Sequence, residues 1–422
     1  GGTCLLRGCI PSKALLHVAR VIGEVDALRS DWGVTFGDVQ VDLDRVRARK
    51  DEVVAKLTTG LSQLAKRRKV RWIRARGALE DSATLMLEGD DASSPEDRRL
   101  AFEHLIVATG STPVLPTALA SRWSERVIGS TGALALPEIP ASMLVVGGGY
   151  IGLEMGTVYA SLGTEVSVVE LTDGLLPGVD RNLVKPLHKR LEALFGGRIY
   201  LNTKVGSVGD RGGSVEVAFE GPGKYGTEHF DRVLVAVGRR PNGQGFGLDR
   251  TNVDFDEGGF VCCDAQQRTD EPRIFAIGDV AGQPMLAHKA THQGKVAVEA
   301  ILGEPARFQP AAVPAVIFTD PEIAWAGLTE EQARHDGRRV KVAHYPWAAS
   351  GRAQAVGRTE GLTKWIVDPE TDRVLGCGIV GAGAGEMIAE AVLAVEMRCE
   401  VRDVVDSIHP HPTLSETLMN AA

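Results

Sequence analysis

The chain has 422 residues, 44% hydrophobic and 24% charged, with a net charge of −8. That length and composition suit two to four globular domains, the acidic balance argues against generic nucleic-acid binding, and no run of about 18 apolar residues is present to span a membrane. Six cysteines in this length do not make a secreted disulfide scaffold, no signal peptide is visible, and a cytoplasmic location is expected.

The stretch GGTCLLRGCIPSK places Cys4 and Cys9 with four residues between them at the threshold of a helix expected over Ser12 to Val25. Gly1, Gly2 and Gly8 permit tight turning, and Pro11 suits a first helical turn. The thiolate is the reactive form of cysteine, and a helix N-terminus lowers a thiol pKa from about 8.5 to roughly 3.5–7.5. Arg7, between the two, adds a cation that favours the thiolate. The pair suits a reversible disulfide; half of a zinc site or a structural disulfide are the alternatives. Zinc wants four ligands, and Cys262-Cys263, in an apolar segment expected to be a strand, make a poor second half. No metal site is expected.

Apolar residues Val46, Val53, Leu57, Leu61 and Leu64 give residues 43–67 helical periodicity with a charged opposite face. The basic run Lys66-Arg67-Arg68-Lys69 ends that helix as a solvated patch complementing its dipole. Glycine-broken strands follow, with a polar loop near Asp90–Asp97. HLIVATGSTPVLP is a buried strand running into a tight turn.

Residues 143–170 read strand, glycine turn, helix, strand. In LVVGGGYIGLEMG, Gly147, Gly149 and Gly152 hold G-x-G-x-x-G spacing. Gly147 permits the turn, Gly149 lets backbone approach a pyrophosphate, and Gly152 allows close helix–strand packing. The pyrophosphate would sit on the helix N-terminus. TEVSVVE is a second strand, ending in Glu170. An acid there holds ribose hydroxyls and repels a 2′-phosphate, so NAD rather than NADP is expected.

Short strands and turns alternate over 198–238. PRIFAIGD is a strand ending in an acid, and a helix follows from about His288 to Leu302. From Val313 onward strands and helices mix, with an apolar helix near 386–397. Strand–helix–strand units with glycine turns imply parallel sheets in the first 300 residues. SIHPHPTLSE supplies His409, His411 and Glu416 on a turn stiffened by two prolines. A histidine near neutral pKa is a natural base for a thiol, and a carboxylate fixes its tautomer; a structural histidine is the alternative reading of these residues alone.

GGTC…GCIPSK, ATGSTP, GGGYIG…E, AVGRRPN, FAIGDV, PMLAHK and HPHPTLSE occur in this order. Together they resemble the pyridine nucleotide–disulfide oxidoreductases over essentially the whole chain. FTDPEIAWAGLT and YPWAASGRA resemble the members that oxidise dihydrolipoamide. The resemblance implies an α/β fold with two Rossmann-like dinucleotide-binding domains plus an α+β C-terminal dimerisation domain. Residues 1–114 would be FAD-binding, 115–243 NAD-binding, 244–312 a return to the FAD and central domain, and 313–422 the interface domain.

The resemblance also implies FAD beside NAD. Asp279 would hydrogen-bond the ribityl chain. Met285, Leu286, Ala287 and His288 would line the flavin through backbone groups, and Thr109, Gly110 and Ser111 would close its site. Lys13 would sit against the isoalloxazine and pair with Glu154. Gly148, Ile151, Val205 and Gly238 would join the cofactor contacts. Tyr150 departs from the aliphatic residue common in the members that act on lipoamide, and as an aromatic residue is expected to stack on the flavin and gate the nicotinamide pocket. Cys4 would face the substrate and Cys9 the flavin. His411 would be the base and Glu416 its partner, reaching the disulfide of the neighbouring subunit in a homodimer, with a cis His411–Pro412 bond.

The implied reaction is oxidation of protein-bound dihydrolipoamide by NAD⁺. The implied partners are the lipoyl domains of 2-oxoacid dehydrogenase complexes or the glycine cleavage protein. Family members begin with their own G-x-G-x-x-G unit, and this sequence starts past that place. The expectation is a chain lacking roughly its first βαβ unit, with loss of FAD as the alternative. Competing readings are a glutathione-reductase-like enzyme, against which Glu170 argues, a mercuric-reductase-like enzyme, which would want a C-terminal cysteine pair, and a non-catalytic, FAD-less dimer scaffold.

Overall fold

The computed structural model describes residues 2–89, 95–117, 119 and 123–422. Gly1 and most of the expected polar loop, residues 90–94, lie outside the described residues. The chain divides into two compact units. One comprises Gly1–Leu6, Val54–Val114 and Gly238–Gln309; the other comprises Arg7–Val53, Leu115–Val237 and Pro310–Ala422.

In the second unit, the strands Val127–Ile128, Arg232–Val235, Ser142–Val146, Glu165–Val169 and Ile199–Tyr200 form one parallel sheet in that order. Met143, Leu144 and Val145 are wholly buried, the continuous apolar run expected of a strand covered on both faces. The helix Tyr150–Ser161 follows the central strand. The helix Cys9–Asp31 belongs to this unit because Leu15, Leu16 and Ala19 share a core with Leu153, Met155 and Val158. An antiparallel meander, Lys204–Asp210, Val215–Glu220 and Gly226–Phe230, is inserted before the strand Arg232–Val235.

The C-terminal part of this unit is an antiparallel sheet in the order Ala315–Ile317, Glu322–Gly327, Val374–Gly381, Leu362–Val367 and Lys341–Pro346. The helix Ala384–Glu396 lays Ala384, Ile388, Ala391 and Val395 on it. Trp347 and Trp365 are buried there, and each indole N–H finds an acceptor: Thr363 Oγ1 at 2.9 Å and the Leu418 carbonyl at 2.8 Å. Gly381 is obligatory at this point. Its φ is +154°, and a Cβ would stand 2.3 Å from Trp347.

In the first unit, Ile274–Ala276 pairs parallel with Leu105–Val107. An antiparallel sheet runs Arg76–Asp81, Thr84–Glu88 and Arg99–Ala101, and Ser111–Pro113 pairs with Arg239–Pro241. The helix Ala287–Ile301 follows a turn at Gly278–Ala281. The core is Leu79, Val107, Leu248, Ile274, Ala276 and Val280.

The helix expected over 43–67 spans Leu43–Arg67; Leu57, Leu61 and Leu64 of its apolar stripe are exposed on the protomer. One expectation is corrected. Cys262 and Cys263 are not in a strand; they follow an isolated bridge between Phe255 and Val261. The Asp264 carboxylate accepts the N–H groups of Gln266 and Arg268, and that side-chain turn diverts the backbone from a ladder. Among the described residues no helix is long and apolar enough to cross a membrane.

Candidate active site

Cys4 and Cys9 form a disulfide. Cys4 lies in the short helix Thr3–Arg7, and Cys9 is the first residue of the 23-residue helix Cys9–Asp31. No side chain caps that helix, so its dipole is available to a thiolate released at Cys9. Ser12 turns back to donate to the Cys9 carbonyl at 3.0 Å, which steadies the first turn.

Further along the same helix, Lys13 Nζ donates to both Glu154 carboxylate oxygens, at 3.1 and 2.9 Å. Glu154 is buried on the helix Tyr150–Ser161. Its Oε1 also accepts the Phe318 N–H at 3.0 Å, and the Phe318 ring lies under Lys13 at 4.4 Å. The expected pair therefore has a third member that the sequence did not disclose.

The glycine turn has the form a dinucleotide needs. Gly147 has φ +106°, and a Cβ on it would lie 2.6 Å from the Ala236 carbonyl oxygen. A Cβ on Gly152 would lie 2.5 Å from the Gly147 carbonyl oxygen, while Gly149 faces open space. The helix behind it begins without a side-chain cap, so its first N–H groups can meet an anion. This cradle fits a pyrophosphate. Ile151 follows within the first helical turn, and Tyr150, at the helix start, is 41% exposed.

Glu170 is buried at the end of the strand Glu165–Val169, beside that turn. Its Oε2 accepts the Gly148 N–H at 2.6 Å, and its Oε1 accepts the Thr172 N–H and hydroxyl at 2.8 and 2.9 Å. Of about four lone-pair positions on a carboxylate, three are used, so Glu170 anchors the turn itself and keeps little capacity for a ribose. Val205 turns its side chain into the apolar cluster with Val146, Val169 and Phe219, which leaves only its backbone for a ligand.

In the first unit, Ser111 Oγ donates to Asp279 Oδ2 at 2.6 Å. Arg239 holds Ser111 through its hydroxyl and its carbonyl, both at 2.7 Å. Thr109 Oγ1 donates to the Asn242 carbonyl at 2.7 Å, Gly110 makes the turn at φ +71°, and Gly238, at φ +132°, accepts the Val114 N–H at 3.0 Å. Met285 and Leu286 lead into the helix Ala287–Ile301, whose first turn contains Ala287 and His288 and carries no side-chain cap. Those N–H groups and the Asp279 carboxylate suit a polar flavin ring and chain. Arg239 and Gln293, which accepts the Gly278 N–H at 2.8 Å, are supporting residues that no motif signalled. Lys289 is another: burial pushes its ammonium down, Asp279 and Cys263 oppose that, and it donates to the Gly282 carbonyl.

On the C-terminal turn, His411 Nδ1 lies 2.8 Å from Glu416 Oε1. A carboxylate can only accept, so Nδ1 carries the hydrogen and Nε2 is left as the basic nitrogen. The Thr413 N–H donates to Glu416 Oε2 at 2.7 Å. That bond first, and His411 second, hold the Glu416 carboxyl below the usual range. His411 is 77% exposed, and the His411–Pro412 bond is cis. Among the described residues no cluster of His, Cys, Asp and Glu could hold a metal. Burial first, then nearby carboxylates, push the Cys262 thiol up, and burial pushes the Cys263 thiol up to about 11, so neither is poised to react.

A disulfide at a helix start, a glycine cradle and a histidine–carboxylate pair on the C-terminal turn are together the pattern of a pyridine nucleotide-disulphide oxidoreductase. The model of that family matches residues 1–294 and its dimerisation domain matches residues 313–422, and the chain belongs to the family. Curated proteins it is similar to include dihydrolipoyl dehydrogenases. Those of Vibrio parahaemolyticus and Haemophilus influenzae are 45% identical over all of this chain and 87% of theirs, and that of Bacillus subtilis is 41% identical over 100% and 88%.

Among solved structures, LpdA from Mycobacterium tuberculosis is similar at a TM-score of 0.89 and 26% identity, covering 100% of this chain and 90% of that one. The HOCl-induced flavoprotein disulfide reductase RclA from Escherichia coli is similar at 0.85 and 28%, over 100% and 91%. The family uses FAD and NAD, and its dimerisation domain supports a homodimer. These likenesses do not favour the glutathione-reductase, mercuric-reductase or scaffold readings.

Proposed function

We propose that the protein is a homodimeric dihydrolipoyl dehydrogenase that oxidises lipoyl-bound dithiols with NAD⁺. Its partners are the lipoyl domains of a 2-oxoacid dehydrogenase complex or of the glycine cleavage system, and a cytoplasmic location belongs to the same proposal. The observation that carries it is the Cys4–Cys9 disulfide with Cys9 at the first position of a long helix. When bound, FAD and NAD⁺ supply the route by which an electron pair leaves the dithiol.

The steps on this chain's own residues balance. His411 Nε2, offered from the neighbouring subunit, takes a proton from one substrate thiol. That thiolate attacks Cys4 Sγ, the Cys4–Cys9 bond breaks, and Cys9 leaves as a thiolate stabilised by its helix terminus. The second substrate thiol attacks the mixed disulfide and its proton passes to the departing Cys4 sulfur, which releases oxidised lipoamide and leaves Cys4 as a thiol. The substrate loses two electrons and the protein disulfide gains them. Glu416 orients His411 and offsets the imidazolium charge formed in the first step.

Lys13, held by Glu154 and Phe318, sets a fixed positive charge four residues from Cys9 and is the group assigned to the flavin ring. Asp279, Ser111, Gly110, Thr109 and the backbone of residues 285–288 are assigned to the flavin, and Gly147 to Gly152, on the turn that Glu170 anchors, to NAD.

Changing Cys9→Ser removes the disulfide and leaves both cofactor sites intact. Turnover of dihydrolipoamide by NAD⁺ should disappear, while NADH oxidation by an artificial acceptor persists. Normal dihydrolipoamide turnover in that variant would defeat the reading.

A further inference from the structure

His409 stands two residues before the assigned base, and its environment is the opposite of that of His411. Its side chain is only 7% exposed. Nε2 lies 2.6 Å from Glu390 Oε1, and Nδ1 lies 2.9 Å from the Ser407 carbonyl oxygen. A carboxylate and a carbonyl are both acceptors and have no hydrogen to give. A neutral imidazole has one donor, so one of these contacts would oppose two lone pairs. Both are satisfied only when both ring nitrogens carry hydrogen. We propose that His409 is a positioning residue, held as an imidazolium between Glu390 and the Ser407 carbonyl, that pins the turn bearing His411.

The charged groups acting on it come from two helices, one on each side of the turn in sequence. Glu390 belongs to the helix Ala384–Glu396, and Glu416 begins the helix Glu416–Ala421. Burial opposes the charge on His409, but the Glu390 carboxylate and the Ser407 carbonyl outweigh it and raise the pKa above the ordinary value of 6.5. His409 can take no part as a base, because neither nitrogen has a free lone pair. What it can do is fix the backbone through a charged contact to one helix while Glu416, on the other, fixes the His411 ring. An error of about 1 Å in placing a reacting group can cost on the order of 100-fold in rate, so a pin at this point acts on turnover.

The inference rests on the functional reading above for the role of His411. The test uses the FAD-loaded dimer and two assays: dihydrolipoamide oxidation by NAD⁺, and NADH oxidation by an artificial acceptor, which needs no base from the turn. His409→Phe should lower kcat for dihydrolipoamide by roughly 10- to 100-fold with the acceptor assay unchanged. Glu390→Gln takes away the carboxylate that keeps His409 charged. Its dihydrolipoamide turnover should match wild type near pH 6 and fall progressively behind as pH rises through about 6.5 to 7.5, where an unassisted histidine loses its proton.

If His409→Phe loses both activities, the packing of that ring is responsible, and the Glu390→Gln profile decides. A Glu390→Gln to wild-type ratio that stays flat from pH 5.5 to pH 8.5 would overturn the proposal. Wild-type protein with no dihydrolipoamide activity would instead overturn the functional reading, and this inference with it.

Discussion

Lys364→Met removes the centre of a buried ion cluster in the second unit. Lys364 is 0% exposed. Its Nζ donates to Asp180 Oδ2 at 2.6 Å, Asn182 Oδ1 at 2.8 Å and Glu330 Oε1 at 2.5 Å. At an effective dielectric of about 20, each carboxylate contact supplies about 6 kcal/mol of attraction. Desolvation takes back several kcal/mol for each ion. The intact cluster is therefore worth little net, but a variant without its cation is not neutral, because Asp180, at 5% exposure, and Glu330 lose the donor they share.

Breaking a buried pair in this way costs about 3–5 kcal/mol. Asp180 retains the N–H groups of Glu330 and Glu331 at 3.1 and 2.9 Å, and Glu330 retains Asn182 Nδ2 at 2.9 Å, so the lower end, about 3 kcal/mol, applies. At roughly 2 °C per kcal/mol for a large cooperative unit, the Tm should fall by about 6 °C. Calorimetry at fixed protein and cofactor concentration measures it.

The acid dependence has a definite sign. Burial opposes ionisation of Glu330, but Lys364 and Asn182 outweigh it and hold the carboxyl below the usual range. Stabilisation from a lowered carboxyl is complete above the unfolded value, about 4.3, and fades as pH falls through the lowered one. The gap between wild type and variant should narrow below about pH 4.3. Arg402→Ala, which breaks an exposed pair with Asp406, is the control and should shift Tm by no more than about 1 °C. An equally small shift for Lys364→Met would refute the reasoning.

Gly152→Ala puts a Cβ 2.5 Å from the Gly147 carbonyl and 2.8 Å from Val145 Cγ1; the KM for NAD⁺ should rise by about 10-fold or more, and an unchanged value would remove the turn from the cofactor site. Glu170→Ala leaves the Gly148 and Thr172 N–H groups without their acceptor, so NAD⁺ use should weaken by about 10-fold; unchanged kinetics with both NAD⁺ and NADP⁺ would reject both roles of that carboxylate.

What the sequence disclosed was short in range or fixed by backbone need. The disulfide links residues five apart, the His411–Glu416 pair is also five apart, and the glycine spacing is imposed by carbonyls at 2.5 and 2.6 Å. What it hid joins distant segments. The Phe318 N–H reaches Glu154 from 164 positions away, and Arg239 reaches Ser111 from 128. Lys364 lies in LTKWIV, where a lysine reads as solvent-facing, yet its strand is covered on both sides and the partners come from segments near 180 and 330. Cys262-Cys263 read as strand from apolarity alone, and the Asp264 turn that breaks it is a side-chain effect that a hydrophobic pattern does not weigh.

His409 and His411 share one turn and one residue type, and what separates pin from base is the count of acceptors around each ring. His411 meets one carboxylate and keeps a lone pair for a substrate proton; His409 meets two acceptors and keeps none. Both carboxylates come from helices packed on the antiparallel C-terminal sheet. The helix that begins with Glu416 is itself anchored, with Thr417 and Leu418 buried and the Leu418 carbonyl taken by Trp365. A base presented to solvent at 77% exposure has no packing of its own to aim it. Its orientation is borrowed from that sheet, the part of the chain that matches the dimerisation domain. The acid–base group thus sits on the element whose geometry a subunit contact would fix. In the proposed homodimer, docking that domain against a second copy is the step that would carry His411 to the partner's disulfide.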